Sequence, residues 1–158
     1  GDIRGRDPLD AAFDLLLQEE LAVGLVDFYG LEEHVRTIMT HHLQNPCTDG
    51  ILGAQPHPRV YGTFSRILGH YVRELGLMTL PEAIRKMTSR PASIFHLEGR
   101  GVLKEGYVAD VTVIDKATYT APMQFSEGIP FVIVGGKTVV EDSQVLKGKA
   151  GKVLRFKK

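Results

Sequence analysis

The apolar pattern of this chain changes its period once, near Gly99, and that change limits the fold more than any other feature. Before it, apolar residues recur at helical spacing; after it, they alternate or fall in short β-branched runs. Leu9, Phe13, Leu16 and Leu17 make the first helical stripe, opened by Asp7 as N-cap and Pro8 in the first turn. A second helix is expected over residues 31–42, with Val35, Ile38 and Met39 on one side. A third is expected over residues 64–75, capped by Thr63. Thr79-Leu80-Pro81-Glu82 is a capping box that starts a fourth, and a short helical turn follows Pro91 as far as Leu97. Between the helices, the apolar run 21–28 and the stretch 43–49 are expected as buried parallel strands.

Beyond Gly99 the signals are those of strands alone. Residues 107–114 alternate and are rich in β-branched side chains. Phe131-Val132-Ile133-Val134 and Lys137-Thr138-Val139-Val140 flank Gly135-Gly136, the pattern of a two-residue hairpin. The basic tail 151–158 is expected as a last short strand or a frayed end. Helices with strands, then strands only, imply two layers of different type, divided at 97–101 into residues 1–98 and 99–158. A complete (β/α)₈ barrel takes roughly 250 residues, so two strands supply only part of one. Their apolar faces need cover from a further part of the protein, another chain or another copy. Gly1 stands where an initiator Met would be, so the natural start is expected upstream.

Composition removes several function classes. Nineteen Lys and Arg balance nineteen Asp and Glu, which leaves no cationic surface for general nucleic-acid binding and no polybasic membrane address. No apolar run approaches the ~20 residues of a membrane span. Cys47 is the sole cysteine; it excludes an internal disulfide framework and fits a reducing, cytoplasmic setting.

Few residues are placed to do chemistry. Thr48-Asp49-Gly50 sits where a strand should end and a loop begin, the place from which barrel enzymes project catalytic side chains. A carboxylate there could move a proton from a metal-bound water to a leaving amine, although Asp-Gly by itself is most often a plain turn. In Pro56-His57-Pro58-Arg59 the prolines limit the backbone, so His57 and Arg59 are held in set directions. Arg59 suits bidentate capture of a carboxylate; its bland alternative is a solvated surface arginine. His57 is a further candidate for substrate binding from the same loop.

Those residues lie inside longer motifs that resemble one family. The run His57-Pro58-Arg59-Val60-Tyr61-Gly62-Thr63-Phe64, continuing to Glu74, is similar to the N-acyl-D-amino-acid deacylases, or D-aminoacylases, of the amidohydrolase superfamily. So are Thr48-Asp49-Gly50, where that family usually has Ser-Asp-Gly, and residues 83–92, 101–110 and 127–134. The resemblance implies an α/β fold: the C-terminal part of a TIM-like barrel followed by a small all-β, sandwich-type segment. It also implies a zinc-dependent hydrolase acting on the N-acyl amide of D-amino acids. Asp49 then matches the family's catalytic acid/base and Arg59 its holder of the substrate α-carboxylate. Its metal ligands come from earlier strands, through His-x-His, a Cys and two later His. Those motifs are not in these 158 residues, so no metal ligand is assigned here and the isolated chain is expected to be inactive.

The remaining candidates read as structural. His41 and His42 point about 100° apart on a helix and suit its C-terminus better than one shared ion. His34, His70 and His96 are expected as surface or packing residues, and Cys47 as a small buried hydrophobe. Gly135-Gly136-Lys137-Thr138 mimics the end of a P-loop, but no helix follows it. Two other functions stay open: a truncated or degenerate, non-catalytic binding or oligomerisation module, and an amidohydrolase for cyclic amides or N-carbamoyl substrates.

Overall fold

A computed structural model describes residues 2–25, 27, 30–53, 56–115 and 126–155. The chain divides into two compact units, residues 1–32 and 33–158. In the first, a 3₁₀ turn (Asp2–Arg4) precedes helix α1 (Pro8–Gln18). The Asp7 carboxylate accepts the backbone N–H groups of Leu9 and Asp10, the cap read from sequence. The α1 stripe of Leu9, Phe13 and Leu17 is exposed, Leu17 at 77%.

The second unit holds the other helices and the sheet. Helix α2 spans Glu32–Thr40, and α3 spans Arg59–Arg66 and continues as a π-helix over Ile67–Glu74. Helices α4 (Leu80–Met87) and α5 (Ser89–Ile94) follow. Ile67, Leu68 and Tyr71 of the π-helix are buried against Ala83 of α4. Met39, Leu80, Ile84, Met87 and Ile114 pack around them, so this core draws on α2, α4 and the residue after the first strand. Thr79 caps α4 as expected, its hydroxyl accepting the Glu82 N–H at 3.4 Å. Only half of the capping box forms, because the Glu82 carboxylate takes both Arg85 Nε and Nη2 at 2.7 Å instead. That contact holds the Glu82 carboxyl below the usual range.

Helix α3 begins five residues earlier than its sequence signals suggest. Pro58, with φ of −50°, is already set for a helix and outweighs Gly62 and Thr63. Thr63 lies inside the helix, its hydroxyl donating to the Arg59 carbonyl at 2.8 Å. The two expected parallel strands are a larger correction. Residues 44–50 carry no regular structure, nor do 22–25 and 27, and Leu21 is in a turn; residues 26 and 28 of the first run lie outside the described residues. A parallel strand needs a neighbouring strand to bond to, and among the described residues no such ladder exists.

The sheet is antiparallel throughout, in the order β1 (Val111–Val113), β2 (Phe131–Val134), β3 (Lys137–Glu141), β4 (Gln144–Val145). Val134 pairs with Lys137, leaving Gly135 and Gly136 as a two-residue turn with φ of 57° and 78°. Positive φ at both positions is the geometry that matches strand twist in a hairpin. Asp142 and Ser143 make the next turn in the same way, with φ of 47° and 63°. The described part of the basic tail, 151–155, forms no strand, and residues 156–158 lie outside it.

Candidate functional site

The structure brings two of the sequence candidates together. Thr48-Asp49-Gly50 forms a tight turn in which the Thr48 hydroxyl accepts the Gly50 N–H at 3.2 Å. Asp49 has φ of 45°, a left-handed conformation that Asp tolerates better than most residues. Gly50 packs so near α3 that a Cβ would lie 3.2 Å from Val60 Cα and Cγ2. That approach seats the turn against the start of the helix, where Arg59 is the first residue. Arg59 Nη2 and Asp49 Oδ2 are 3.1 Å apart. The Asp49 side chain is 76% exposed and the Arg59 side chain 39%.

His57 belongs to the same assembly through its backbone role. Its Nδ1 accepts the Arg59 N–H at 3.1 Å, satisfying a donor that the first helical turn leaves open. The Arg59 Nε is buried without a hydrogen-bond partner among the described residues. Gln44 Oε1 and Asn45 Oδ1, just ahead of the turn, are in the same condition.

An apolar cleft of about 1080 Å³ separates the helices from the sheet, lined by Thr48, Val60, Phe64, Ile84, Val108 and Val132 among others. Asp49 and Arg59 stand outside it. One wall is tied across by Ser65, whose hydroxyl donates to Ser126 Oγ at 2.5 Å, while Ser126 donates to the Tyr61 carbonyl at 3.3 Å.

Sequence reading missed Lys86. It is 2% exposed, and its ammonium donates to the carbonyls of Met39 at 2.7 Å and His41 at 2.6 Å. These carbonyls are at the C-terminal end of α2, so Lys86 serves as its cationic cap. Burial pushes the ammonium below the usual lysine range, opposed in part by Glu82. The signal available was its spacing: Lys86 falls three residues after Ala83, on the stripe that α4 buries.

Other expectations resolve singly. Cys47 is exposed rather than buried, because the stretch that carries it joins no sheet. His41 and His42 lie just past the end of α2 with rings 4.6 Å apart, and His41 Nδ1 accepts the Leu43 N–H. His34 is exposed. His70 pairs with Glu74 at 2.7 Å, which holds the Glu74 carboxyl low. Among the described residues no three His, Cys, Asp or Glu gather as metal ligands. No helix among them is long and apolar enough to cross a membrane.

The pattern of the family described as "Amidohydrolase family" matches residues 3–140. The chain belongs to the amidohydrolase family. Among the curated relatives, the N-acyl-D-glutamate deacylase of Alcaligenes xylosoxydans xylosoxydans is 42% identical over 139 residues, which cover 84% of this chain and 28% of that protein. A solved D-aminoacylase superposes with a TM-score of 0.76 at 39% identity, over 80% of this chain and 28% of its own. The N-acyl-D-glutamate deacylase of Bordetella bronchiseptica, solved with zinc and a phosphonate mimic of the tetrahedral intermediate, gives 0.74 at 40% identity over the same shares. Within the amidohydrolases the chain therefore stands with the D-aminoacylases. It spans about 28% of the length of these relatives. The α/β fold class expected from sequence agrees with this likeness: part of an amidohydrolase barrel, then a small antiparallel β segment.

Proposed function

We propose that this chain is the C-terminal part of a zinc-dependent enzyme that hydrolyses the N-acyl amide of D-amino acids. Residues 1–98 would complete its barrel and residues 99–158 its β segment. Asp49 serves as general acid and base: it takes a proton from the attacking water and delivers it to the amine as the amide C–N bond breaks. Arg59 holds the substrate α-carboxylate, and His57, through its bond to the Arg59 N–H, sets the helix start from which Arg59 reaches. The observation that carries this reading is the 3.1 Å pair of Asp49 and Arg59, a base and a carboxylate receptor on one edge of the fold. Zinc enters on the account of the Bordetella relative, with ligands from residues outside those described here. A cytosolic setting fits the single, exposed Cys47.

A second reading, a non-catalytic module that docks onto another chain or copy, is favoured by the exposed apolar stripe Leu9, Phe13 and Leu17. One experiment separates the two. The full-length zinc-loaded protein is assayed on N-acyl-D-amino acids, their L-enantiomers and their methyl esters, beside the 158-residue chain alone. The deacylase reading expects turnover of the D-acids by the full-length protein and none by the short chain. Arg59→Lys should lower kcat/KM for the acids and spare the esters, since an ammonium cannot reproduce the guanidinium fork. Turnover of cyclic amides alone would move the pocket to another substrate class. No turnover, with a stable complex between copies, would select the docking module.

A further inference from the structure

Among the described residues Arg59 is paired with Asp49, the residue assigned as the base. Asp49 Oδ2 lies on Nη2 at 3.1 Å. The neighbouring Nε is buried and has no acceptor among the described residues. A guanidinium offers Nε and Nη2 as a fork that matches the two oxygens of a carboxylate. Asp49 therefore pairs with one arm of the fork, and the other arm, Nε, has no acceptor among the described residues. Two carboxylates at one guanidinium nitrogen repel each other. The incumbent is poised to leave, because its side chain is 76% exposed. The backbone beneath it lies close against α3, where a Cβ on Gly50 would come within 3.2 Å of Val60. Exchange at Arg59 is then a matter of side-chain rotation.

Resting on the roles given above, we propose that Asp49 occupies the carboxylate seat of Arg59 in the substrate-free enzyme. The arriving α-carboxylate takes the Nε–Nη2 fork and displaces Asp49, so substrate binding itself releases the base. The carboxylate of the substrate is thus a trigger as well as an anchor. An N-acyl compound without it meets an enzyme whose base is still paired.

The test uses the full-length zinc-loaded enzyme and two substrates, an N-acyl-D-amino acid and its methyl ester. Arg59→Met removes both the anchor and the lock. For the acid, kcat/KM should fall. For the ester, amide cleavage should rise about threefold above wild type, within what an exposed ion pair can withhold. An ester rate at or below wild type, with the acid still selectively impaired, overturns the trigger and leaves the assigned roles standing. Equal loss on acid and ester, or full activity of Asp49→Asn, overturns the roles themselves. A second measurement does not depend on the variant folding. Crystal structures of the wild-type enzyme, free and with a phosphonamidate analogue carrying the α-carboxylate, should show Asp49 on Arg59 in the first and out of hydrogen-bond reach in the second. An analogue carboxylate on Arg59 with Asp49 still paired there refutes the proposal.

Discussion

The hairpin of β2 and β3 and the turn that carries Asp49 belong to the same compact unit, but they satisfy their polar groups differently. In the hairpin, each strand bonds to its neighbour and the turn is held besides: Gly135 N–H reaches the Asp110 carboxylate and Gly136 N–H the Ala109 carbonyl. Around Asp49 the chain runs from 44 to 50 with no ladder. Three of the four buried side-chain polar atoms without a partner among the described residues lie at Gln44, Asn45 and Arg59; none lies beyond residue 99. Buried polar atoms are ordinarily paired. A stretch that gathers unpaired ones is built to meet something further, whereas the hairpin is complete in itself. The difference separates sequence that specifies its own structure from sequence kept for an encounter.

This contrast can be broken in four places. The largest effect should come from the unpaired side: Asp49→Asn in the full-length enzyme should lower kcat by at least ~10²-fold and change stability by less than ~1 kcal/mol. Activity within a few-fold of wild type would remove Asp49 from the chemistry. Gly101 lies where the helices give way to the β segment, with φ of 82°, and a Cβ there would come within 2.6 Å of Ala92 Cβ and 3.0 Å of Ser89 Cα. Gly101→Ala should cost about 2–4 kcal/mol in urea unfolding, from left-handed strain and overpacking together. A neutral result would mean that the junction gives way easily.

Next is the Lys86 cap. Lys86→Met leaves the Met39 and His41 carbonyls without their donor and should cost about 1–3 kcal/mol. The loss should grow with pH. Burial depresses the folded-state pKa, while the unfolded value stays near ~10.4. Between the two, the unfolded chain holds a proton that the folded one has shed, so wild-type stability rises with pH in that window. Chemical unfolding of both proteins between neutral pH and about 10 should show the gap widening; a constant gap removes the linkage. The smallest effect should be at Ser143, whose φ of 63° strains any residue with a Cβ. Ser143→Gly should stabilise by about 0.5 kcal/mol, read as a small rise in Tm.

The same contrast explains what could be read from the sequence. The caps at Asp7 and Thr79 and the Gly135-Gly136 hairpin are short-range devices; the Asp7 cap and the hairpin form as read, and at Thr79 the hydroxyl half of the capping box does. The start of α3 was misplaced because two local signals compete, and the fixed φ of Pro58 outweighs the Thr63 hydroxyl. The strands expected at 21–28 and 43–49 do not form among their described residues, for a different reason. An apolar run becomes a strand only beside another strand, which is a property of the surroundings. Cys47 follows that error to the surface. Of the site, Asp49 and Arg59 were legible as residue types in motifs, but their mutual approach depends on Gly50 meeting Val60, ten positions further along the chain. Lys86 went unread because a lysine normally marks a solvated face, and its partners are 45 and 47 residues away.

That burial gives Lys86 a practical use. Amine acylation needs a nitrogen that reagent and water can reach, and a deprotonated one. Lys104, Lys137 and Lys147 are exposed and will react in the native protein. The Lys86 nitrogen is buried and held by two carbonyls at the end of α2, so it should be acylated only while α2 and α4 are apart. The ratio of modified Lys86 to modified Lys104 in a peptide mass spectrum thus becomes a clock for the opening of this core, read from the unaltered chain without any added probe.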